Sequence, residues 1–116
     1  MPTNNIKPPT ILKGESLKEW QRITQELTDL GRLNNADRAI MVQHCQTWQI
    51  NREAYQRVLS DGQTMEYSNG VMGPSPWYKN WGETTKMLRG TLADLGLTPN
   101  ARGFDLTADE PEELEV

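Results

Sequence analysis

Hydrophobic positions recur at helical spacing in three separate runs along the chain. Leu17, Trp20, Ile23, Leu27 and Leu30 lie three or four residues apart, so they share one side of a helix, and Gly31 behind them supplies a left-handed stop. The stretch "SLKE" at 16–19 predicts a capping box at its start. In that arrangement the Ser16 hydroxyl accepts from the backbone N–H of Glu19, and the Glu19 carboxylate reaches back to the N–H of Ser16. The turn "RLNNAD" follows, with Asn34 or Asn35 as N-cap and Asp37 in the first turn, where the helix dipole favours a negative charge. Met41, Cys45, Trp48, Tyr55 and Leu59 then mark a second helix; its one gap falls on Arg52, and Ile40, His44 and Val58 widen the stripe. No Gly or Pro interrupts before Gly62, so this helix runs about 25 residues, roughly 38 Å at 1.5 Å per residue.

The period breaks over "QTMEYSNGVMGPSP", where two short β-prone runs flank Asn69-Gly70, the dipeptide that best tolerates a two-residue hairpin turn; a β-hairpin is expected at about 63–72. Ser75-Pro76 is an N-cap with Pro at the first helical position, and Trp77, Trp81, Leu88, Leu92 and Leu95 form the stripe of a third helix that stops at Gly96. Thr98-Pro99 repeats the start signal, which predicts a short restarted turn through Ala101 that fixes Arg102 in place. The expected fold is therefore mainly α: a three-helix subunit with one long central helix and a small β-hairpin, occupying residues 16–104. Pro2, Pro8, Pro9 and Gly14 make residues 1–15 an extended arm, and residues 105–116 form an acidic flexible tail.

Composition sharpens this picture in three ways. At 116 residues the chain is one domain, and with 35% apolar residues and a mean hydropathy of -0.74 its core is lean, so some apolar surface is expected between subunits. Trp20, Trp48, Tyr55, Trp77 and Trp81 are assigned to that core and those interfaces, because large amphipathic rings suit both. Net charge is -4, yet six of the 16 acids fall at Asp105, Asp109, Glu110, Glu112, Glu113 and Glu115 with no base among them, leaving 12 bases against 10 acids, +2, in residues 1–104. The lone Cys45 lies inside a helical pattern, which predicts a buried reduced thiol. No apolar run has the length of a membrane span, and the first residues lack a signal-peptide pattern, so a cytoplasmic location is expected.

No catalytic constellation emerges. His44 and Cys45 are consecutive helix positions that point about 100° apart, and further ligands for a metal site are missing; His44 reads as structural. "GETTK" at 82–86 lacks the glycine spacing and the Lys-Ser/Thr ending of a phosphate loop. Neither a cofactor nor a metal is expected. For nucleic acid the candidate contacts are Lys7, Lys13, Lys18, Arg22, Arg32 and Arg38; Lys18 and Arg22, at i and i+4, can meet adjacent phosphates.

The order of these signals resembles a known family. A Pro-bearing arm (Pro9), a helix with Trp20, the turn Gly31 to Leu33 with Asp37, the "C-x-x-W" of Cys45 to Trp48, the Pro76 helix start and the closing "L-G-L-T-P-x-x-R" of Leu95 to Arg102 together resemble the terminase small subunits of tailed phages, over about residues 8–103. The resemblance implies a mostly helical subunit that assembles into a ring in the host cytoplasm and recognises viral double-stranded DNA. It also implies recruitment and regulation of the terminase large subunit, which carries the ATPase and nuclease. Arg102 and the acids Glu110, Glu112, Glu113 and Glu115 are then candidates for the large-subunit contact. Many members carry a distinct helix-turn-helix domain at the N-terminus, where this sequence has only its short arm. Two alternatives stand beside this reading: a small helix-turn-helix regulator, against which Asp37 sits among would-be base-reading positions, and a protein-only adaptor acting through its tail.

Overall fold

The computed structural model describes residues 6–98, so Arg102, the turn after Thr98 and the acidic segment lie outside the described residues. Helix α1 spans Glu15–Asp29, a 3-10 turn covers Asn35–Asp37, and helix α2 spans Arg38–Asp61. Strands β1 (Thr64–Glu66) and β2 (Met72–Pro74) form an antiparallel hairpin, and helix α3 runs Pro76–Asp94. The chain is thus mainly helical, three helices and one small hairpin.

The stop signals act as the sequence implies. Gly31 (φ 69) and Gly96 (φ 76) both end their helices in left-handed geometry. At each end two backbone bonds fold the chain back: Gly31 N to Thr28 O and Arg32 N to Leu27 O, then Gly96 N to Ala93 O and Leu97 N to Leu92 O. The second fold-back carries Leu97 into the core, where it joins Leu12, Trp20, Ile23, Leu27, Leu33, Met41, Cys45 and Leu95. The core therefore sits where α1, the start of α2 and the end of α3 meet, with the arm closing one side through Leu12. Ser75 caps α3 as predicted, its hydroxyl accepting from Tyr78 N at 3.1 Å, and Asn34 caps the 3-10 turn through Ala36 N at 2.8 Å.

Three local expectations are corrected. The capping box does not form: α1 starts two residues earlier, Gly14 occupies the cap position, and Ser16 is buried with its hydroxyl donating to Lys13 O at 2.8 Å. Glu19 is turned instead into the interior, where two cationic or imidazole partners offer more than one exposed N–H. The hairpin turn is longer than two residues. Gly70 N donates to Tyr67 O at 2.8 Å and Tyr67 N donates to Val71 O at 3.0 Å, giving a three-residue loop in which Gly70 alone has positive φ. Asn69 uses its side chain, accepting from Val71 N at 3.0 Å. In the second half of α2 the buried line runs through Asn51 and Ala54, while Leu59 is exposed.

Gly96 and Gly90 separate backbone from packing effects. A Cβ at Gly96 would meet positive φ and the Arg32 guanidinium together, whereas one at Gly90, mid-helix and exposed, meets nothing within 4 Å. Gly96→Ala is expected to destabilise by more than about 1 kcal/mol and Gly90→Ala to stabilise by about 0.5–1 kcal/mol, as read by thermal unfolding.

Candidate nucleic-acid interface

The six cations singled out in the sequence divide into two groups. Lys7, Lys13 and Lys18 are exposed; the Lys18 ammonium, 76% exposed, lies 4.0 Å from Glu15 Oε2, a pairing too solvated to hold it. The three arginines are engaged by the fold. Arg38 donates from Nη2 and Nε to the Lys7 carbonyl at 3.2 and 3.4 Å and lies 6.0 Å over the Trp20 ring, fastening the arm to the start of α2. Arg32 Nη1 donates to Gly96 O at 2.7 Å, joining the end of α1 to the end of α3. Arg22 donates from Nε and Nη2 to the two oxygens of Glu19 at 2.7 and 2.6 Å, and from Nη1 to Glu26 Oε2 at 2.6 Å. Its charge is therefore already matched on its own helix, which removes the picture of Lys18 and Arg22 as an equivalent pair. Of these six, the lysines, with long stems and no such partners among the described residues, present the outward positive charge.

The rings also divide. Trp20 is in the core, whereas Trp48, Tyr55, Trp77 and Trp81 are half-buried on the flanks of α2 and α3. Two guanidiniums, those of Arg22 and Arg52, lie over the Trp48 ring, each 5.6 Å from its centroid. Arg52 also lies 5.6 Å from Tyr55, which meets Trp81 at 6.2 Å, and Trp81 stacks on Tyr78 at 5.9 Å. The apparent gap in the α2 stripe is thus a rung of a continuous arginine–aromatic ladder. Arg57 covers Trp77 separately, at 4.8 Å.

Beneath these surfaces runs a buried polar line that the sequence reading missed in part. His44 is fully buried; its Nε2 lies 2.6 Å from Glu19 Oε2 and its Nδ1 2.8 Å from Thr91 Oγ1, so one imidazole ties α2 to both other helices. The Thr91 hydroxyl can donate to Nδ1; alternatively it donates to Leu88 O, 3.1 Å away, and accepts from Nδ1–H. The line is therefore satisfied with His44 neutral or protonated. Two turns further along, Asn51 Nδ2 lies within 3.2 Å of Trp81 O, Thr84 Oγ1 and Thr85 Oγ1. The available signal was spacing: His44 and Asn51 are seven residues apart on α2, as are Thr84 and Thr91 on α3.

A hydroxyl–imidazole–carboxylate line has the connectivity of a proton relay, but here His44 and Glu19 are sealed from solvent and its effect is to fix helices. Burial alone would raise the Glu19 pKa; hydrogen bonds from His44 and Arg22, with their charges, outweigh it and hold the carboxyl below its ordinary 4.5. Burial, then the neighbouring Glu19 charge, push the Cys45 thiol up to about 12, so it stays protonated and poorly nucleophilic. Among the described residues no group of three or more His, Cys, Asp or Glu side chains is arranged to hold a metal, and no helix is long and apolar enough to cross a membrane.

Fold and surface together define a small helical subunit whose outward chemistry is carried by lysines and by stacked arginines and rings. The family model for phage terminase, small subunit, matches residues 16–110, and the chain belongs to that family. No curated protein and no solved structure matches it.

Because the folded-state pKa of Glu19 is depressed, its stabilisation is full above the ordinary carboxylate value and is lost as pH falls through the lower folded value. Glu19→Gln is expected to cost about 3 kcal/mol at neutral pH, the low end for breaking a buried pair. The variant should also show a shallower loss of stability between pH 5 and the acid limb than the parent, which denaturant titrations across pH measure.

Proposed function

We propose that this chain is the packaging-initiating subunit of a phage terminase, acting in the host cytoplasm without a catalytic site or cofactor of its own. It assembles into a ring, binds viral double-stranded DNA through backbone phosphates, and recruits and regulates the large subunit that carries the ATPase and nuclease. The observation that carries this reading is the family match over residues 16–110. Exposed Lys7, Lys13 and Lys18 support a phosphate contact that positions DNA rather than reading its bases. One copy, at +2 over residues 1–104, attracts DNA weakly; a ring repeats the same patch and gains by avidity. Ring formation is supported by the apolar side chains that one copy leaves uncovered, among them Ile50, Leu59, Met72 and Met87. Arg102 and the acids of the tail are the proposed contact with the large subunit.

DNA affinity should fall steeply with salt, and Lys7→Gln, Lys13→Gln or Lys18→Gln should each lower the slope of log affinity against log salt by about one per contacting subunit. Binding that ignores salt, or no binding, would overturn the DNA role. Native mass spectrometry showing only single chains at working concentration would overturn the ring.

A further inference from the structure

We infer that in the absence of the large subunit the ladder formed by Arg22, Trp48, Arg52, Tyr55 and Trp81 is the docking surface for the chain's own acidic segment, residues 105–116. Three observations lead there, and none depends on DNA binding.

The ladder's unpaired cation is Arg52, since Arg22 is already matched by Glu19 and Glu26. Arg52 is held over two rings, and among the described residues no carboxylate pairs with it. Arg89 is exposed and also lacks an ion pair among the described residues; its spacing from Tyr78, Gly82 and Thr85 places it on the same side of α3 as the ladder's last ring. Glu19 and Glu26 are taken up by Arg22, and Glu53 accepts from the neutral Gln49 amide at 3.2 Å, with no ion pair to Arg52. A guanidinium stacked on a ring keeps its edge N–H groups free, and those edges match a carboxylate.

The occupant has the opposite sign. Residues 105–116 hold six carboxylates and no Lys or Arg.

The segment also reaches. His44 lies level with Thr91, and Arg52 is eight residues further along α2, about 12 Å at 1.5 Å per residue. Thr98, where the described chain ends, is seven residues beyond Thr91 in the other direction, after the fold-back that bonds Leu97 N to Leu92 O. The seven residues 99–105 extend up to about 24 Å, which brings the first acid to the ladder and leaves the other five to lie along it. Attachment to the same chain then supplies an effective concentration on the order of millimolar, well above that of a free competitor.

The test uses the full chain. Cys45 is buried, so Val116→Cys provides a single reactive position for a nitroxide, which quenches nearby tryptophan emission. Emission from Trp48 and Trp81 is expected to be quenched at low salt and restored at 1 M salt, where screening acts within about 3 Å. Quenching should also be lost in the double variant Arg52→Gln, Arg89→Gln. Should that variant fold poorly, amide replacement of the six tail acids leaves the ladder intact and should abolish quenching equally. Absent quenching at low salt, or quenching that survives neutralising the tail, overturns the inference. So does a ladder variant that loses affinity for duplex DNA while its tail quenching is unchanged, since the surface would then serve DNA.

Discussion

Burying the Glu19 carboxylate is the constraint on which the subunit's geometry depends. A charge removed from water needs its partners close and correctly aimed, and the chain supplies them from two helices: the Arg22 guanidinium one turn along α1, and the His44 imidazole from α2. His44 in turn needs a partner for its other nitrogen and finds the Thr91 hydroxyl on α3. Three helices are thereby fixed relative to one another at one point, surrounded by Trp20, Ile23, Leu27, Met41 and Cys45, which exclude solvent from it. The apolar contacts alone would tolerate small slides between helices, as hydrophobic packing is non-directional. The polar line and the Asn51 clamp two turns away do not, so together they set the register of α2 against α3.

What the sequence disclosed follows from this division. Periodicity and the punctuating glycines and prolines place all three helices and the hairpin, because those signals are local: Gly31 and Gly96 stop helices whatever packs on them, and Ser75-Pro76 starts one. The buried polar residues were less legible. Ser16 and Glu19 fit a local motif equally well, and only the position of His44, 25 residues later, draws Glu19 away from it. The same holds for Arg52, which breaks an apolar stripe on paper but extends a stacked one once Trp48 and Tyr55 flank it. For the cations, sequence alone could not separate lysines that face water from arginines that fasten the arm and the helix ends, since the distinction lies in carbonyls brought close by folding, Lys7 O for Arg38 and Gly96 O for Arg32.

The two ends of the subunit are consequently unlike. Near the start of α2 the arm, α1 and the end of α3 enclose a core with Leu12 and Leu97 as its lids. Towards the end of α2, only α3 and the hairpin remain among the described residues, the strands are exposed except at Gly73, and rings and guanidiniums stacked on one another take the place of a closed core. Stacking of this kind holds the helices together while leaving polar edges and ring faces at the surface, as a contact surface requires and a sealed core does not.

That asymmetry bears on how a lean sequence sustains a long helix. The 24 residues of α2 outrun the 15 of α1, so half of α2 is secured by one neighbouring helix instead of two. The cost shows in Ile50 and Leu59, which are at least half exposed, and in Val71 and Met72 on the hairpin. Asn51, donating to α3 where an aliphatic residue would merely pack, keeps this half in register without requiring a third layer. Among the described residues this end is therefore held in register but left unfilled, so an occupant meeting it finds a surface whose rings and guanidiniums are already arranged.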